Sequence, residues 1–347
     1  MVRFYTLWIY LYLFSLSVVG QKAYSKADFT PKMRIIVDND FSGDPDGLFQ
    51  LAHLILSPSV EIRGIIGSHL SKGDGFDPSD RQADHAVQKA RELLQLMQIN
   101  LPVVAGSNVG MTDEKKPVAS AGVDMILKEA ARTDTSLPLY VVCGAGLTEM
   151  ASALIRQPDI AHRITLIWIG GPEYPNLGYP PPNPADIEYN LNIDRVAAQV
   201  VFNQSNLPIW QIPRNTYRQA LVSFAQLWVH VRPKDSLGLY LFNQLENLMK
   251  RVGRLDETYI LGDNPLVLLT ALQSYFEPDP SSSFYQNLPA PTINSRGQYE
   301  PNPDGRPIRV YYHLDCHLMF QDFFDKLTLW ANAQPSETKP DGSPKKN

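Results

Sequence analysis

Cysteine is scarce in this sequence, which has only Cys143 and Cys316 among its 347 residues. Neither belongs to a CxxC pair, which excludes a thiolate metal site and a small domain held together by disulfides. Cys143 follows an apolar run and is expected to be a buried strand residue. The spacing alone does not decide whether the two cysteines pair.

An excess of positive charge is also missing. The chain carries 31 Lys and Arg residues against 36 Asp and Glu residues, a formal net charge of -5. Because the sequence lacks an excess of basic residues, nucleic acid is excluded as the expected partner. A small ligand fits better. The sequence shows no internal repeat and no linker that would divide it into two domains.

Long apolar runs are absent except at the start, where one extends from Phe4 to Val19. Arg3 precedes this run and the small residue Gly20 follows it, so we predict a signal peptide over residues 1–20. The run is close to the lower length limit for a membrane span, and an uncleaved membrane anchor is the alternative. In both cases the remaining chain is expected outside the cytoplasm, secreted or periplasmic.

The rest of the sequence alternates between two patterns. Short runs rich in β-branched residues are separated by amphipathic stretches, which predicts parallel βαβ units. The runs are residues 34–37, 62–67, 101–106, 137–142, 164–170 and 207–212. The predicted fold class is therefore α/β, a doubly wound and mostly parallel sheet flanked by helices, with a crevice at the carboxyl ends of the strands.

The predicted fold occupies one catalytic domain, residues 30–330. Within it, residues 277–307 are rich in Pro, Ser and Asn and predict a long surface excursion before the last strand. The tail, residues 334–347, has no apolar periodicity and is predicted to be disordered.

The first polar motif, DNDFSGDPDG, spans residues 38–47 at the end of the first predicted strand. Crowded carboxylates repel one another unless a cation neutralises them, and a hard divalent ion such as calcium or magnesium is the usual solution. An EF-hand is excluded, because a strand precedes the loop and Phe49 replaces the glutamate required at its twelfth position. The alternative is a solvated acidic turn that caps the next helix.

Three further segments carry polar residues at predicted element ends. In NPADIEYNLNID, Glu188 and Asn190 would suit a polyhydroxylated ligand such as a sugar, with Tyr189 as an apolar wall. In LGDNPLVLL, Asp263 opens a helix, and in CGAGLTEM, Thr148 leads from a strand into a helix. For the first two segments, ordinary helix capping is the alternative interpretation.

Taken in order, the four segments resemble the inosine–uridine type nucleoside hydrolases, a calcium-dependent α/β family that cleaves the N-glycosidic bond of ribonucleosides. DNDFSGDPDG is similar to the family's D-x-D-P-G-x-D-D, and IEYNLNID, residues 187–194, to its A-E-F-N-I-x-x-D. The resemblance covers roughly residues 34–330. It implies a Ca²⁺ cofactor and a small ribonucleoside substrate. It is compatible with a monomer or a homo-oligomer.

The resemblance also implies roles for individual residues. Asp40 would ligate calcium and act as general base on the bound water. The main-chain carbonyl of Thr148 and the carboxylate of Asp263 would be further metal ligands. The ribose would be bound by a set of polar and aromatic side chains, namely Asp46, Asn183, Glu188, Tyr189 and Asn190.

The chain departs from the family pattern at two positions. Two extra residues in the first motif place Asp46 on one family aspartate, as a metal and ribose ligand, and Gly47 on the usual bidentate ligand. We therefore predict that Asp44 supplies the missing carboxylate. Gly262 stands where purine-active members have a histidine that protonates the leaving base. The remaining histidine candidates for that acid are His69, His85 and His317.

The predicted function is calcium-dependent hydrolysis of ribonucleosides to free base and ribose, with Asp40 activating a metal-bound water. One alternative, motivated by Gly47 and Gly262, is a secreted nucleoside-binding or sugar-binding protein without catalysis. A second is a magnesium phosphatase of the haloacid dehalogenase type, because DNDFS is similar to its D-x-D-x-[TS] motif, with Asp38 as nucleophile.

Overall fold

The computed structural model describes residues 28–253, 256–274 and 282–334. The predicted signal peptide, residues 1–20, lies outside these ranges, and so does the predicted disordered tail after Gln334. Among the helices of the described part, none combines the length and the apolar character that a membrane span requires. Cys143 and Cys316 are both free thiols, so the two cysteines do not pair.

The described residues form twelve strands and eleven α-helices. The strands are β1 (Met33–Asn39), β2 (Val60–Gly67), β3 (Val103–Ala105), β4 (Leu139–Cys143), β5 (Ile164–Ile169), β6 (Ile209–Ile212), β7 (Leu221–Ser223), β8 (Thr258–Ile260), β9 (Phe284–Pro289), β10 (Thr292–Ile293), β11 (Tyr299–Glu300) and β12 (Pro307–His313). The helices are α1 (Asp46–Ile55), α2 (Gln82–Leu96), α3 (Ala121–Ala130), α4 (Thr148–Arg156), α5 (Tyr189–Ile193), α6 (Arg195–Asn203), α7 (Arg214–Tyr217), α8 (Phe224–Gln226), α9 (Asp235–Arg251), α10 (Pro265–Leu268) and α11 (Cys316–Ala333).

Eight strands form one sheet in the order β3-β2-β1-β4-β5-β6-β12-β9. Every neighbouring pair is parallel except β12 and β9, which are antiparallel. The predicted fold class is confirmed, and each of the six predicted runs contributes a strand. The strand order reverses at β1, with β2 on one side and β4 on the other, which opens a crevice at the carboxyl ends of β1 and β4.

The sheet separates two hydrophobic cores. All seven residues of β1 are buried, and their side chains alternate between the two faces. Ile35 and Val37 pack in the core that includes Phe323 of α11, whereas Ile36 packs in the core that includes Trp168 of β5. Because both faces are covered, the strand has a continuous apolar sequence rather than an alternating one.

Part of the surface excursion predicted over residues 277–307 forms regular strands, which the sequence analysis did not predict. β9 pairs with β12 from Phe284 to Pro289, and β10 pairs with β11 in a small antiparallel ribbon. β9 is mostly exposed, so no apolar pattern marks it. It is a strand because the unpaired edge of β12 offers hydrogen-bonding partners, and an edge position tolerates its proline.

Candidate active site

The acidic loop after β1 begins with a tight turn. The Gly43 N–H donates to the Asp40 carbonyl at 2.7 Å, and the Asp40 N–H donates to Asn39 Oδ1 at 2.8 Å. The chain then enters α1 at Asp46, an acidic residue in the first turn, where the helix dipole favours negative charge. The turn and the helix start together direct the motif toward the crevice.

A cavity of about 470 Å³ opens in this crevice. It brings together all the predicted site residues except Thr148 and Asn183. Its acidic lining consists of Asp40, Asp44, Asp46, Glu188 and Asp263, and its aromatic lining of Phe76, Tyr189, Tyr217 and Tyr259. The described lining contains no lysine, arginine or histidine.

The aspartates of this cavity are electrostatically unfavourable to one another. Burial raises the pKa of the Asp40 and Asp46 carboxyls well above the usual value, and the neighbouring Asp263 carboxylate raises both further. Burial also raises the pKa of Asp263 to about 7. These shifts mean that the folded protein resists full ionisation of the cluster.

Whether these groups fit a metal ion can be judged from their chemistry. In the part of the chain that the structure describes, no three His, Cys, Asp or Glu side chains form a ready-made metal site. Asp40 and Asp263 are nevertheless buried and Asp44 and Asp46 half-buried, and the described lining holds no cationic side chain beside their carboxylate oxygens. Such a donor set suits a hard divalent cation.

Asn39 occupies the space next to Gly47. A Cβ at Gly47 would lie 3.0 Å from Asn39 Nδ2, and this amide nitrogen donates to Asp263 Oδ2 at 2.9 Å. The Asn39 side chain therefore connects the end of β1 to Asp263. It occupies the space into which a side chain at residue 47 would project. Sequence reasoning missed Asn39, although its position between Asp38 and Asp40 at a strand end was a usable signal.

Glu188 is held by four donors. It caps α5, and its Oε2 accepts from the N–H groups of Gly171 at 2.7 Å and Leu191 at 3.0 Å. Its Oε1 accepts from the Asn190 N–H at 3.2 Å and from the Tyr217 hydroxyl at 3.0 Å. Burial raises the pKa of Glu188, and these hydrogen bonds oppose the rise.

Asn190 is oriented by the strand ends behind it. Its side-chain amide donates to the Ile169 carbonyl at 2.8 Å and to the Gly144 carbonyl at 3.2 Å. Both amide hydrogens are therefore committed to the protein. The side-chain oxygen is the group that Asn190 can offer to a ligand.

Three tyrosines place hydroxyls around the cavity. Tyr259 of β8 donates to Asp44 Oδ2 at 2.5 Å, and Tyr189 donates to Asp74 Oδ2 at 2.8 Å. The third, Tyr217, contacts Glu188 as described. Sequence reasoning missed Tyr217 and Tyr259, because α7 and β8 are short elements without a polar motif and reach the cavity only through tertiary folding.

The comparison with known families identifies this arrangement. A family model described as inosine-uridine preferring nucleoside hydrolase matches residues 35–277. The chain belongs to this family. It is thus an N-glycosidase of the nucleoside hydrolase type, with a small nucleoside as its class of substrate. A search of curated protein sequences gives no match.

Solved nucleoside hydrolases share the fold. The purine-preferring ribonucleoside hydrolase from Gardnerella vaginalis is 17% identical, with a TM-score of 0.67 over 87% of this chain and 100% of that one. The inosine-uridine preferring nucleoside hydrolase from Bacillus anthracis is 16% identical, with a TM-score of 0.64 over 86% and 99%. An inosine-guanosine nucleoside hydrolase is 15% identical, with a TM-score of 0.65 over 85% and 98%.

Two residues assigned to the nucleoside hydrolase site are not part of the described cavity lining. Thr148 is buried at the start of α4, and its hydroxyl donates to Asp194 Oδ2 at 2.7 Å, so its side chain is not part of the cavity lining. Asn183 is exposed in the loop before α5 and has a left-handed backbone, with φ of 52°. The proline-rich insertion around Asn183 carries it away from the cavity, so the structure does not support a ribose contact there.

The histidine candidates for the leaving-group acid are also absent from the described cavity lining. His69 Nε2 lies 2.9 Å from Thr148 Oγ1, and His85 Nδ1 lies 2.8 Å from Asp77 Oδ2. His317 lies in the first turn of α11. None of the three lines the cavity, which leaves the nucleoside hydrolase reaction without a histidine acid in the described site.

Asp38 is placed wrongly for the phosphatase alternative. Its side chain is 1% exposed, accepts a hydrogen bond from Ser68 and does not line the cavity. A nucleophile must reach the substrate. The geometry therefore favours the nucleoside hydrolase over the haloacid dehalogenase type of enzyme.

Proposed function

We propose that the chain hydrolyses the N-glycosidic bond of ribonucleosides to free base and ribose in a calcium-dependent reaction. The observation that carries this proposal is the composition of one cavity. Four buried or half-buried aspartates without a cationic partner in its described lining share the cavity with Glu188 and Asn190, which hold fixed hydrogen-bonding geometry. The aspartates suit a cation, and Glu188 and Asn190 suit sugar hydroxyls.

The residues that would hold the ion are Asp40, Asp44, Asp46 and Asp263, with the main-chain carbonyl of Thr148 as the ligand that the family resemblance adds. Calcium is favoured over magnesium, because it accepts irregular sets of oxygen ligands. When bound, the cation supplies positive charge that relieves the carboxylate repulsion and lowers the pKa of a water molecule.

Asp40 is the proposed general base. Asp40 lines the cavity, and a bound cation would offset the Asp263 repulsion that raises the pKa of its carboxyl, so Asp40 would be ionised and able to accept a proton. Among the described side chains, none donates a hydrogen bond to the Asp40 carboxylate. It is therefore available to remove a proton from the water that attacks C1′ of the ribose.

Polar side chains of the cavity orient the sugar. Breaking the bond to the base builds positive charge at C1′, as in the hydrolysis of O-glycosides. Asp46, Glu188 and Asn190 would position the ribose hydroxyls so that C1′ faces the water near Asp40. Positioning of this kind contributes several kcal/mol to lowering a barrier.

The test is an assay of free reducing sugar from a panel of purine and pyrimidine ribonucleosides. We expect ribose release that stops on addition of EDTA and returns when calcium is restored. Tight binding of intact nucleoside without any release would support the binding-protein alternative instead. Release that persists in EDTA, after removal of bound metal is verified by elemental analysis, would contradict the calcium dependence.

We also propose that the enzyme acts outside the cytoplasm, on the strength of the charged and apolar segment at residues 1–20. N-terminal sequencing of the protein recovered from the culture medium or periplasm tests this proposal. A first residue of Gln21 is expected, and recovery of the intact segment in a membrane fraction would support the anchor.

A further inference from the structure

The hydrolysis leaves an electron pair on the nitrogen of the departing base, which needs a hydrogen-bond donor or a proton. The side-chain donors in the described cavity lining are three tyrosine hydroxyls, the Thr258 hydroxyl and the Asn190 amide. Asn190 is already committed to two main-chain carbonyls. A donor to the base must therefore be sought among the hydroxyls.

Tyr217 is held firmly in place. Its helix, α7, is tied to the preceding loop by Arg214, whose Nε and Nη2 each lie 2.7 Å from a carboxylate oxygen of Glu173. Thr216 Oγ1 donates to the Tyr311 carbonyl of β12 at 2.8 Å. These contacts fix α7 relative to the sheet, so the backbone that carries Tyr217 has a defined position, as a donor needs.

Gly262 places no side-chain atoms between Asp46 and the Tyr217 ring. A Cβ at residue 262 would lie 3.3 Å from Asp46 Oδ2 and 3.4 Å from Tyr217 Cδ2. Any larger side chain there would fill the region between the acidic wall and the Tyr217 ring. With glycine, a flat base attached to a ribose at the acidic wall can lie against this ring.

The Tyr217 hydroxyl can also leave its present partner at little cost. When the Tyr217 O–H is redirected, the Glu188 carboxylate still accepts hydrogen bonds from three main-chain N–H groups. Tyr259 differs, because its hydroxyl is bound to Asp44 within the acidic cluster. Tyr189 differs as well, because its ring is 42% exposed and its hydroxyl is bound to Asp74.

We propose that Tyr217 is the catalytic hydrogen-bond donor to the departing base, an inference that rests on the proposed function. A ribose hydroxyl takes its place on Glu188, and the Tyr217 O–H turns to the base. The C1′–N bond breaks and its electron pair goes to the base nitrogen. The water oxygen bonds to C1′ and its proton goes to Asp40. Tyr217 keeps its proton, and the base leaves as a hydrogen-bonded anion that water protonates on release.

This assignment selects a class of base. Burial and the Glu188 carboxylate raise the pKa of Tyr217, so its phenol donates hydrogen bonds but does not readily give up its proton. A site that stabilises an anion without protonating it favours bases whose negative charge spreads onto carbonyl oxygens. This requirement agrees with the inosine and uridine preference that the family's description states.

The deciding experiment compares two leaving groups in Tyr217→Phe. For inosine and uridine, kcat should fall about 100-fold, the loss typical of one removed donor to a developing anion. For p-nitrophenyl β-D-ribofuranoside, whose leaving group is already a stable anion, kcat should change little. KM for both kinds of substrate should stay close to that of the unchanged protein.

Two matched variants accompany this experiment. Tyr240→Phe removes a hydroxyl that lies 3.3 Å from Glu92, away from the described cavity lining, and should leave both activities unchanged. Tyr259→Phe removes a donor from Asp44 and should lower both activities together. Melting temperatures of all variants verify that each is folded.

Each result has a defined meaning. Equal losses on both substrates in Tyr217→Phe would show that Tyr217 positions the sugar, and unchanged activity on both would show no role, so either would overturn the assignment. If the unchanged protein hydrolyses neither nucleosides nor the nitrophenyl riboside, the proposed function itself fails, and the inference with it.

Discussion

The cavity has an acidic wall, formed by Asp40, Asp44, Asp46 and Asp263, and a sugar wall, formed by Glu188 and Asn190. The carboxylates of the two walls have different surroundings. On the acidic wall, burial and Asp263 raise the pKa values of Asp40 and Asp46, burial and Asp44 raise that of Asp263, and the described lining provides no cationic partner. On the sugar wall, Glu188 accepts four hydrogen bonds. The difference indicates that the sugar wall is complete in the protein alone, whereas the acidic wall needs an ion.

The largest expected effect comes from the acidic wall. Asp40→Asn keeps the size of the side chain but removes the proton acceptor, so turnover should fall on the order of 10²–10⁴-fold. The measurement is free ribose from inosine and uridine, with Asp304→Asn, an exposed aspartate outside the described lining, as control. Full activity in the Asp40 variant would rule out its role as base.

The second effect concerns the sugar wall and should appear without any ligand. In Glu188→Gln, an amide nitrogen would have to face N–H donors such as those of Gly171 and Leu191, so the free energy of unfolding should fall by about 1–3 kcal/mol. Urea unfolding measures this loss. Glu246→Gln, which breaks a surface pair with Lys250, is the control and should cost well under 1 kcal/mol. An equal loss in both variants would contradict a preorganised sugar wall.

The third effect is a pH dependence of the acidic wall in metal-free protein. The Asp263 carboxyl has a pKa of about 7 in the folded protein against an ordinary value of 3.8. Below pH 3.8 the Asp263 carboxyl is protonated in both the folded and the unfolded protein. The contribution of this carboxyl to the free energy of unfolding is then fully present. As pH rises toward the higher value, the unfolded chain releases a proton that the folded protein keeps, so stability is lost.

Melting temperatures between the two pKa values measure this loss. With EDTA, the melting temperature should fall as pH rises, and Asp263→Asn should flatten the slope. With calcium, the slope should also become shallower, because an ion that binds only the folded state stabilises it by mass action. Identical slopes with calcium and with EDTA would show that the acidic wall does not bind this ion.

The sequence was sufficient for features whose determinants are contiguous. The buried strands were predictable because both faces of the sheet are covered, and the acidic loop because its aspartates lie within ten residues at the end of β1. Tyr217 and Tyr259 could not be found in this way. Their positions depend on how α7 and β8 pack, which local patterns do not encode.

The two remaining misplacements have different physical reasons. Asn183 was assigned from the family resemblance, but a proline-rich insertion leaves it exposed in the loop before α5. Asn39 was overlooked as the last residue of a strand, and its contact with Asp263 depends on the absence of side chains at both Gly47 and Gly144. Both positions depend on contacts between segments that no single motif contains.

The strand order has a consequence for solubility. At one edge of the sheet, β3 has only three residues, and at the other edge β9 ends in Pro289 and carries mostly exposed side chains. Short edge strands and edge prolines hinder the addition of a further strand from another molecule. The same edge strand that escaped the sequence pattern thus protects a long parallel sheet from polymerising when the protein is concentrated.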